Sequence, residues 1–144
     1  MSLTCYLAGN MSDFYLNGEY DNATKWRQYA KSKFKDVGIK VFNPTENSVE
    51  HFKYPAELDK GIILQNYTYL SKCDLILVNL EKYESSIGSI WETCIAWEKH
   101  MPVIAFGECL KWQDRPHFKD IITVKLDTVE DACDYIISMF DYRL

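Results

Sequence analysis

The 144-residue sequence lacks three short motifs that mark common nucleotide-binding and hydrolytic enzymes. It has no G-x-G-x-x-G after a predicted strand and no G-x-x-x-x-G-K-[ST], which disfavours a dinucleotide-binding dehydrogenase and a P-loop enzyme. A G-x-S-x-G nucleophile elbow is also absent, which disfavours an α/β-hydrolase. Any enzymatic function must therefore depend on other residues.

The chain also has little positive charge. It contains 16 lysines and arginines against 21 acidic residues, giving a net charge of −5 and a pI near 5.2. This balance argues against long nucleic acid as a partner. No apolar run approaches the roughly 20 residues that span a bilayer, and the N-terminus does not resemble a signal peptide. We expect a cytoplasmic protein with no membrane partner.

Cysteine and histidine do not occur at the spacings of metal ligands. The three histidines are far apart and none has a ligand-spaced cysteine or histidine partner, so we predict no metal site. The cysteines are odd in number, form no C-x-x-C pair and lie in or beside apolar stretches, which favours buried free thiols. They are Cys5, Cys73, Cys94, Cys109 and Cys133.

The sequence is rich in apolar residues, which make up 47% of it and suffice for one domain over residues 1–144. Short apolar runs predict strands, and apolar residues at helical spacing predict helices between them. The predicted strands cover 3–8, 39–44, 75–80, 102–106 and 121–126. The predicted helices cover 23–37, 59–73, 89–100 and 129–140. We interpret 43–58 as a long loop and 107–119 as turn-rich.

Strands that alternate with helices indicate parallel pairing through right-handed crossovers. The prediction is a three-layer α/β/α fold with a five-stranded parallel sheet, doubly wound and flavodoxin-like. Ligands of such sheets bind outside the carboxyl ends of the strands. Gly9, Asn10, Asn43 and the 81–88 loop follow predicted strands, so we expect a site among them.

Glu92 has two interpretations. Together with Ser89 it completes S-x-x-E, the capping box in which the glutamate bonds to the start of its own helix. The helix also begins beside a buried strand at the ligand-binding edge of the sheet, where its dipole favours a carboxylate that can act as a nucleophile. The sequence leaves both interpretations open.

Four motifs, in order and covering most of the chain, resemble the nucleoside 2-deoxyribosyltransferase family. They are "YLAGNM" at 6–11, "VFNP" at 41–44, N-x-x-x-L-x-x-C-D-L-I-L-V-N-L ending at residue 80, and "SIGSIWETCIA" at 86–96. The resemblance implies cleavage of the N-glycosidic bond in a nucleoside or nucleotide, without metal or organic cofactor. It thins after residue 107.

The resemblance also assigns roles to individual residues. Glu92 would attack the anomeric carbon and form a glycosyl-enzyme intermediate, and Tyr6 would hydrogen-bond its carboxylate. Taken from the resemblance and from the loops that follow the strands, the predicted substrate-binding residues are Gly9, Asn10, Asn43, Ser86, Gly88 and Ser89. Without the resemblance, Tyr6 also fits an ordinary core aromatic.

Asn66 departs from the family pattern, which usually has an aspartate at this position to handle the departing base. An amide can hydrogen-bond a base but cannot transfer a proton to it. Another acid such as Asp59 or Glu57 takes over this role, or the activity is altered or lost. Asn66 also fits a satisfied polar group at a helix–sheet contact.

Three functions remain open. The first is a nucleoside deoxyribosyltransferase or N-glycosidase of nucleotide salvage. The second is a nucleoside 5′-monophosphate hydrolase, because Ser86 stands where free-nucleoside transferases of the family tend to carry an aspartate that would repel phosphate. The third is a catalytically silent nucleotide-binding module. The resemblance also implies homo-oligomers, for which Trp112 and Phe118 are candidate interface residues.

Overall fold

The computed structural model describes residues 3–46 and 60–140, and the side chains of residues 60–62 are not considered. Its five strands form one sheet in the order β2-β1-β3-β4-β5, and every neighbouring pair is parallel. The strands are β1 (Thr4–Ala8), β2 (Lys40–Phe42), β3 (Leu75–Asn79), β4 (Val103–Phe106) and β5 (Val124–Leu126). This strand order confirms the predicted doubly wound, flavodoxin-like fold.

The described helices cover both faces of the sheet. They are α1 (Ser12–Leu16), α2 (Tyr20–Lys35), α3 (Lys60–Leu70), α4 (Ile87–Glu98), α5 (Pro116–Ile121) and α6 (Val129–Phe140). One apolar cluster joins α2 and α6 to the sheet, and a second joins α3 and α4 to the opposite face. None of the helices in the described ranges is both long and apolar enough to cross a membrane.

The central strands supply both clusters because successive side chains of a strand point to opposite faces. Leu7 and Leu77 belong to the cluster under α2 and α6, whereas Tyr6 and Ile76 belong to the cluster under α3 and α4. All five residues of β3 are buried. The prediction that this apolar run is a strand covered on both faces is therefore confirmed.

Several predicted boundaries were wrong. Helix α4 begins at Ile87 because Ser86, rather than Ser89, caps it. The segment interpreted as turn-rich contains the start of α5, where Pro116 occupies a first-turn position that requires no N–H donor. Strand β5 consequently begins at Val124 instead of residue 121. Most of the predicted 43–58 loop lies outside the described residues.

Four of the five cysteines are buried free thiols, as predicted, but Cys94 is exposed on α4.

Candidate active site

A cavity of about 310 Å³ opens between the loop that follows β1 and the N-terminal end of α4. Both elements lie at the carboxyl edge of the sheet, where doubly wound folds bind ligands. The cavity is lined by Gly9, Asn10, Met11, Ser12, Ser85, Ser86, Ile87, Gly88, Ser89 and Glu92. The structure thus brings together six of the nine predicted site residues: Gly9, Asn10, Ser86, Gly88, Ser89 and Glu92.

The N-terminus of α4 does not use Glu92 as a cap. Ser86 is the N-cap residue, and its Oγ accepts from the backbone N–H of Ser89 at 3.4 Å and lies 2.7 Å from the Ser89 Oγ. Glu92 is the sixth residue of the helix, beyond the first turn in which capping occurs. The capping-box interpretation of Glu92 was therefore wrong, and its carboxylate is left for another role.

The Glu92 side chain is half-buried, and one of its carboxylate oxygens is fully enclosed. Its Oε2 is inaccessible to solvent and has no hydrogen-bond partner among the described residues. Burial raises the pKa of Glu92 from an ordinary 4.5 to about 7, although the Tyr6 hydroxyl and the charge of Arg27 both oppose this rise. Burial outweighs both of these influences, so the pKa of Glu92 lies near neutrality.

Tyr6 places a hydroxyl group beside Glu92. The residue lies in β1, is fully buried, and its ring stacks on Phe42 with 5.2 Å between centroids. Burial and the charge of Glu92 raise the pKa of Tyr6, so the phenol remains a neutral O–H donor. The two groups interact electrostatically, yet neither the Tyr6 Oη nor the Glu92 Oε2 has a partner at ordinary hydrogen-bond geometry.

The side chain of Asn10 ties the two walls of the cavity together. Its Nδ2 donates to the Lys82 carbonyl and to the Asp13 Oδ2, both at 2.8 Å, and to the Ser85 Oγ at 3.2 Å. Its Oδ1 accepts from the Asp13 N–H at 3.0 Å. Asn10 is 2% exposed, so we assign it the role of fixing the loop, which leaves the loop backbone to face a ligand.

Two glycines of the site serve different purposes. A Cβ on Gly9 would lie 3.0 Å from the Trp26 Cζ2 and 3.3 Å from the Arg27 Nη2, so glycine lets helix α2 pack against the loop. A Cβ on Gly88 would meet a single group within 4 Å, the Glu92 Oε1 at 3.8 Å. Gly88 therefore leaves open the space from which a substrate would approach the carboxylate.

The sequence prediction missed Arg27, which lies behind the cavity on α2 and is 1% exposed. Its Nη2 donates to the Gly9 carbonyl at 3.0 Å, its Nη1 donates to the Ala23 carbonyl, and its Cζ lies 4.5 Å from the centre of the Trp26 ring. A signal was present in the sequence. Arg27 falls on the apolar stripe of its helix, with Ala23 four residues before it and Phe34 seven after it.

Two predicted residues lie apart from the cavity lining. Asn43 is buried in the turn after β2, where its Oδ1 accepts from the backbone N–H of Thr45 at 3.0 Å and from the Thr45 Oγ1 at 2.6 Å. Asn43 does not line this cavity, and its oxygen shapes a local turn, so its role in binding substrate stays a prediction. Asn66 is half-buried on α3, on the same face of the sheet as α4.

Among the residues that the structure describes, Glu92 is the only charged side chain in the cavity lining, and no lysine or arginine of this set lies there to bind a phosphate. Within residues 3–46 and 60–140, no three histidine, cysteine or acidic side chains converge as a metal site.

Comparisons with known proteins agree with this architecture. The sequence model of the family described as "Nucleoside 2-deoxyribosyltransferase like" matches residues 3–109. The fold is similar to that of a 2-deoxyribosyltransferase from Bacillus psychrosaccharolyticus, with a TM-score of 0.69, 19% identity, and 92% of this chain and 91% of that chain covered. It is equally similar to a conserved protein from Enterococcus faecalis V583, at TM-score 0.69 and 17% identity, with coverage of 96% and 99%.

A search of curated proteins gives no significant match. The two structural similarities establish the fold alone, whereas the sequence match covers the first four strands and the whole cavity lining. By sequence and by fold, the chain belongs to the nucleoside 2-deoxyribosyltransferase-like family.

Proposed function

We propose that the protein cleaves or exchanges the N-glycosidic bond of nucleosides or deoxynucleosides, with Glu92 as the nucleophile. One observation carries the proposal: Glu92, whose buried Oε2 has no hydrogen-bond partner among the described residues, lines a cavity at the edge of the sheet where doubly wound folds bind ligands. A purely structural glutamate would be paired, because an unpaired buried charge is costly. A partly protonated carboxylate of this kind is typical of a catalytic site.

The first chemical step forms a glycosyl ester. A carboxylate oxygen of ionised Glu92 bonds to the anomeric carbon of the sugar, and the bond from that carbon to the base nitrogen breaks with its electron pair on the base. The base leaves as its anion and takes a proton from solvent. In the second step a nitrogen of another base, or water, attacks the same carbon, loses a proton to solvent, and restores the Glu92 carboxylate. The same intermediate thus serves transfer and hydrolysis.

Tyr6 is proposed to orient the nucleophile. As a neutral hydroxyl beside Glu92, it can donate a hydrogen bond to one carboxylate oxygen and leave the other free for attack. A carboxylate held in one rotamer reacts faster than one that must be ordered in the transition state.

Protonation of the departing base has no evident donor in the lining. Within residues 3–46 and 60–140, Glu92 is the only acid in the lining, and Asn66 cannot transfer a proton. Asp59 and Glu57, the alternatives named from the sequence, lie outside the described residues. We therefore expect base departure to limit the rate, and we expect the best substrates to be nucleosides whose bases leave readily.

The lining favours a free nucleoside over a 5′-monophosphate. No cation of the described residues lines the cavity, Glu92 would repel a phosphate, and the Ser86 hydroxyl already caps α4. One observation supports the monophosphate hydrolase as a second candidate, namely that the first turn of the 12-residue helix α4 lines the cavity and presents the positive end of the helix dipole.

The test is incubation with a panel of deoxynucleosides and ribonucleosides, with and without an acceptor base, followed by chromatography. New nucleoside formed with the acceptor supports a transferase, and free base without exchange supports a hydrolase. The Glu92→Gln variant is the matched control, since its amide cannot attack carbon. Binding without turnover in both proteins would contradict the proposal and favour a silent nucleotide-binding module.

A second comparison tests whether the preferred substrate carries a 5′-phosphate. The wild type is expected to turn over a nucleoside faster than its 5′-monophosphate at equal concentration, and Ser86→Asp should widen this preference. Faster turnover of the monophosphate, lost in Ser86→Asp, would instead support the hydrolase. Association into homo-oligomers stays a prediction that sedimentation of the same samples can test.

A further inference from the structure

We propose that Arg27 is a positioning residue of the site, whose buried guanidinium holds the Gly9 loop in place and keeps Glu92 ionised without touching substrate. The proposal rests on the proposed function only in that Glu92 must react as a carboxylate. The contact between Arg27 and the loop is direct, because the Nη2 of Arg27 donates to the carbonyl of Gly9, which lines the cavity.

Arg27 is a buried cation without an ion pair. The salt bridges among the described residues join Lys25 to Asp21, Lys31 to Glu46 and Lys125 to Glu108, and none includes Arg27. Its Nε has no hydrogen-bond partner. A buried guanidinium is expensive unless an opposite charge compensates it, so the burial of Arg27 points to a neighbouring anion.

Among the groups that act on Arg27, Glu92 has the largest electrostatic influence on its pKa. Burial lowers the pKa of Arg27 to about 10, and the charge of Glu92 is the largest influence that opposes this change. The reciprocal effect lowers the pKa of Glu92. Both partners have a polar atom left over, the Arg27 Nε and the Glu92 Oε2, together with the Tyr6 Oη.

The other titratable groups near the pair are tyrosines. They are Tyr6 on β1, Tyr15 on α1 and Tyr83 in the turn before α4. Within the described ranges, Arg27 is the only cation that acts on Glu92. Removing its charge should therefore shift the ionisation of Glu92 to higher pH, whereas a residue that merely supports the loop would leave that ionisation unchanged.

The primary experiment measures stability and does not require activity. Unfolding in urea is followed from about pH 5 to about pH 9 for the wild type, Arg27→Met and Arg27→Lys, each with and without Glu92→Gln. The stability gained from Glu92→Gln should level off near pH 7 in the wild type and in Arg27→Lys. In Arg27→Met it should grow larger and level off at higher pH. A stability gain from Glu92→Gln that levels off at the same value and the same pH in all three backgrounds would overturn the proposal.

A failure of Arg27→Met to fold is also informative. The added Glu92→Gln change removes the uncompensated carboxylate, so the double variant should recover folding at about pH 8. Absence of recovery would show that Arg27 supports the fold by packing and hydrogen bonds alone, against the proposal.

A second arm uses turnover once a substrate is known. The acid limb of the pH–rate profile should move to higher pH in Arg27→Met and remain in place in Arg27→Lys, with about a tenfold loss at low pH for each whole unit of pKa. Phe34→Leu, a buried change seven residues along the same helix, is the control and should lower stability without moving the limb. If no substrate is found, the urea experiment still decides the role of Arg27 independently of the proposed function.

Discussion

Replacing Glu92 with glutamine is expected to stabilise the protein and inactivate it at the same time. Glutamine has nearly the same shape and keeps the polar contacts of the side chain, but it carries no charge to bury and cannot attack carbon. The effect on stability should therefore depend on pH, while the loss of turnover should not. Such opposite effects distinguish a catalytic carboxylate from a structural one.

The magnitude follows from the pKa of Glu92, which lies at about 7 in the folded protein instead of 4.5. Each whole unit of pKa corresponds to about 1.4 kcal/mol, so ionised Glu92 costs the fold at most about 3 to 4 kcal/mol. Because the folded pKa is raised, the contribution of the protonated acid to stability is fully present below pH 4.5 and is lost as the pH rises through 7. The Glu92→Gln variant has an uncharged side chain at every pH and therefore does not lose this stability as the pH rises.

The assay is urea denaturation of the wild type and Glu92→Gln at several values between about pH 5 and about pH 8. The unfolding free energies of the two proteins should differ little at the lowest pH. At the highest pH, Glu92→Gln should be more stable than the wild type by about 2 to 3 kcal/mol. A mass increase of one sugar on wild-type Glu92, absent from the variant, would support the covalent step. Equal stability at about pH 8, or retained turnover, would refute the reasoning.

Three further predictions concern the surroundings of Glu92. Gly88→Ala should raise the free energy of unfolding in urea by about 0.5–1 kcal/mol because glycine is unfavourable inside a helix. It should also lower turnover, since the added methyl group would lie 3.8 Å from the Glu92 Oε1. Unchanged turnover would mean that the substrate binds elsewhere. Gly9→Ala should lower the unfolding free energy by about 1–3 kcal/mol through overpacking against Trp26, and a neutral result would mean that the loop can move. Asn66→Asp should raise the rate of base release by up to about 10²-fold if it restores general acid catalysis, whereas no gain in a single-turnover assay would indicate another proton donor.

Local sequence patterns predicted most of the fold, because strands and helices of this class depend on short-range hydrophobic periodicity. The run at 75–80 reads as a strand covered on both faces, and the structure confirms it with five buried residues in β3. Boundaries were less predictable. Ser86 and Ser89 are both good helix caps. Which of them caps α4 depends on where the preceding turn at Tyr83–Ser85 ends and the helical backbone begins.

The candidate site was predicted in part for a similar reason. Residues that follow strands, such as Gly9 and Asn10, can be assigned to the ligand-binding edge from the order of elements alone. Asn43 follows a strand as well, but its side chain is used by a turn whose hydrogen bonds no sequence pattern specified. Arg27 was missed because it lies on a helix far from any motif, and its importance comes from the carbonyl and the carboxylate that packing brings to it.

From the sequence alone follow the order of strands and helices, the sheet edge at which ligand binding is expected, and the presence of a glutamate near that edge. The tertiary structure alone decided the state of that glutamate. Its pKa of about 7 results from burial opposed by a hydroxyl on β1 and a guanidinium on α2, which are 86 and 65 residues away along the chain. Desolvation and through-space charge depend on three-dimensional distance, and distance between remote residues exists only after the sheet and its helices have packed.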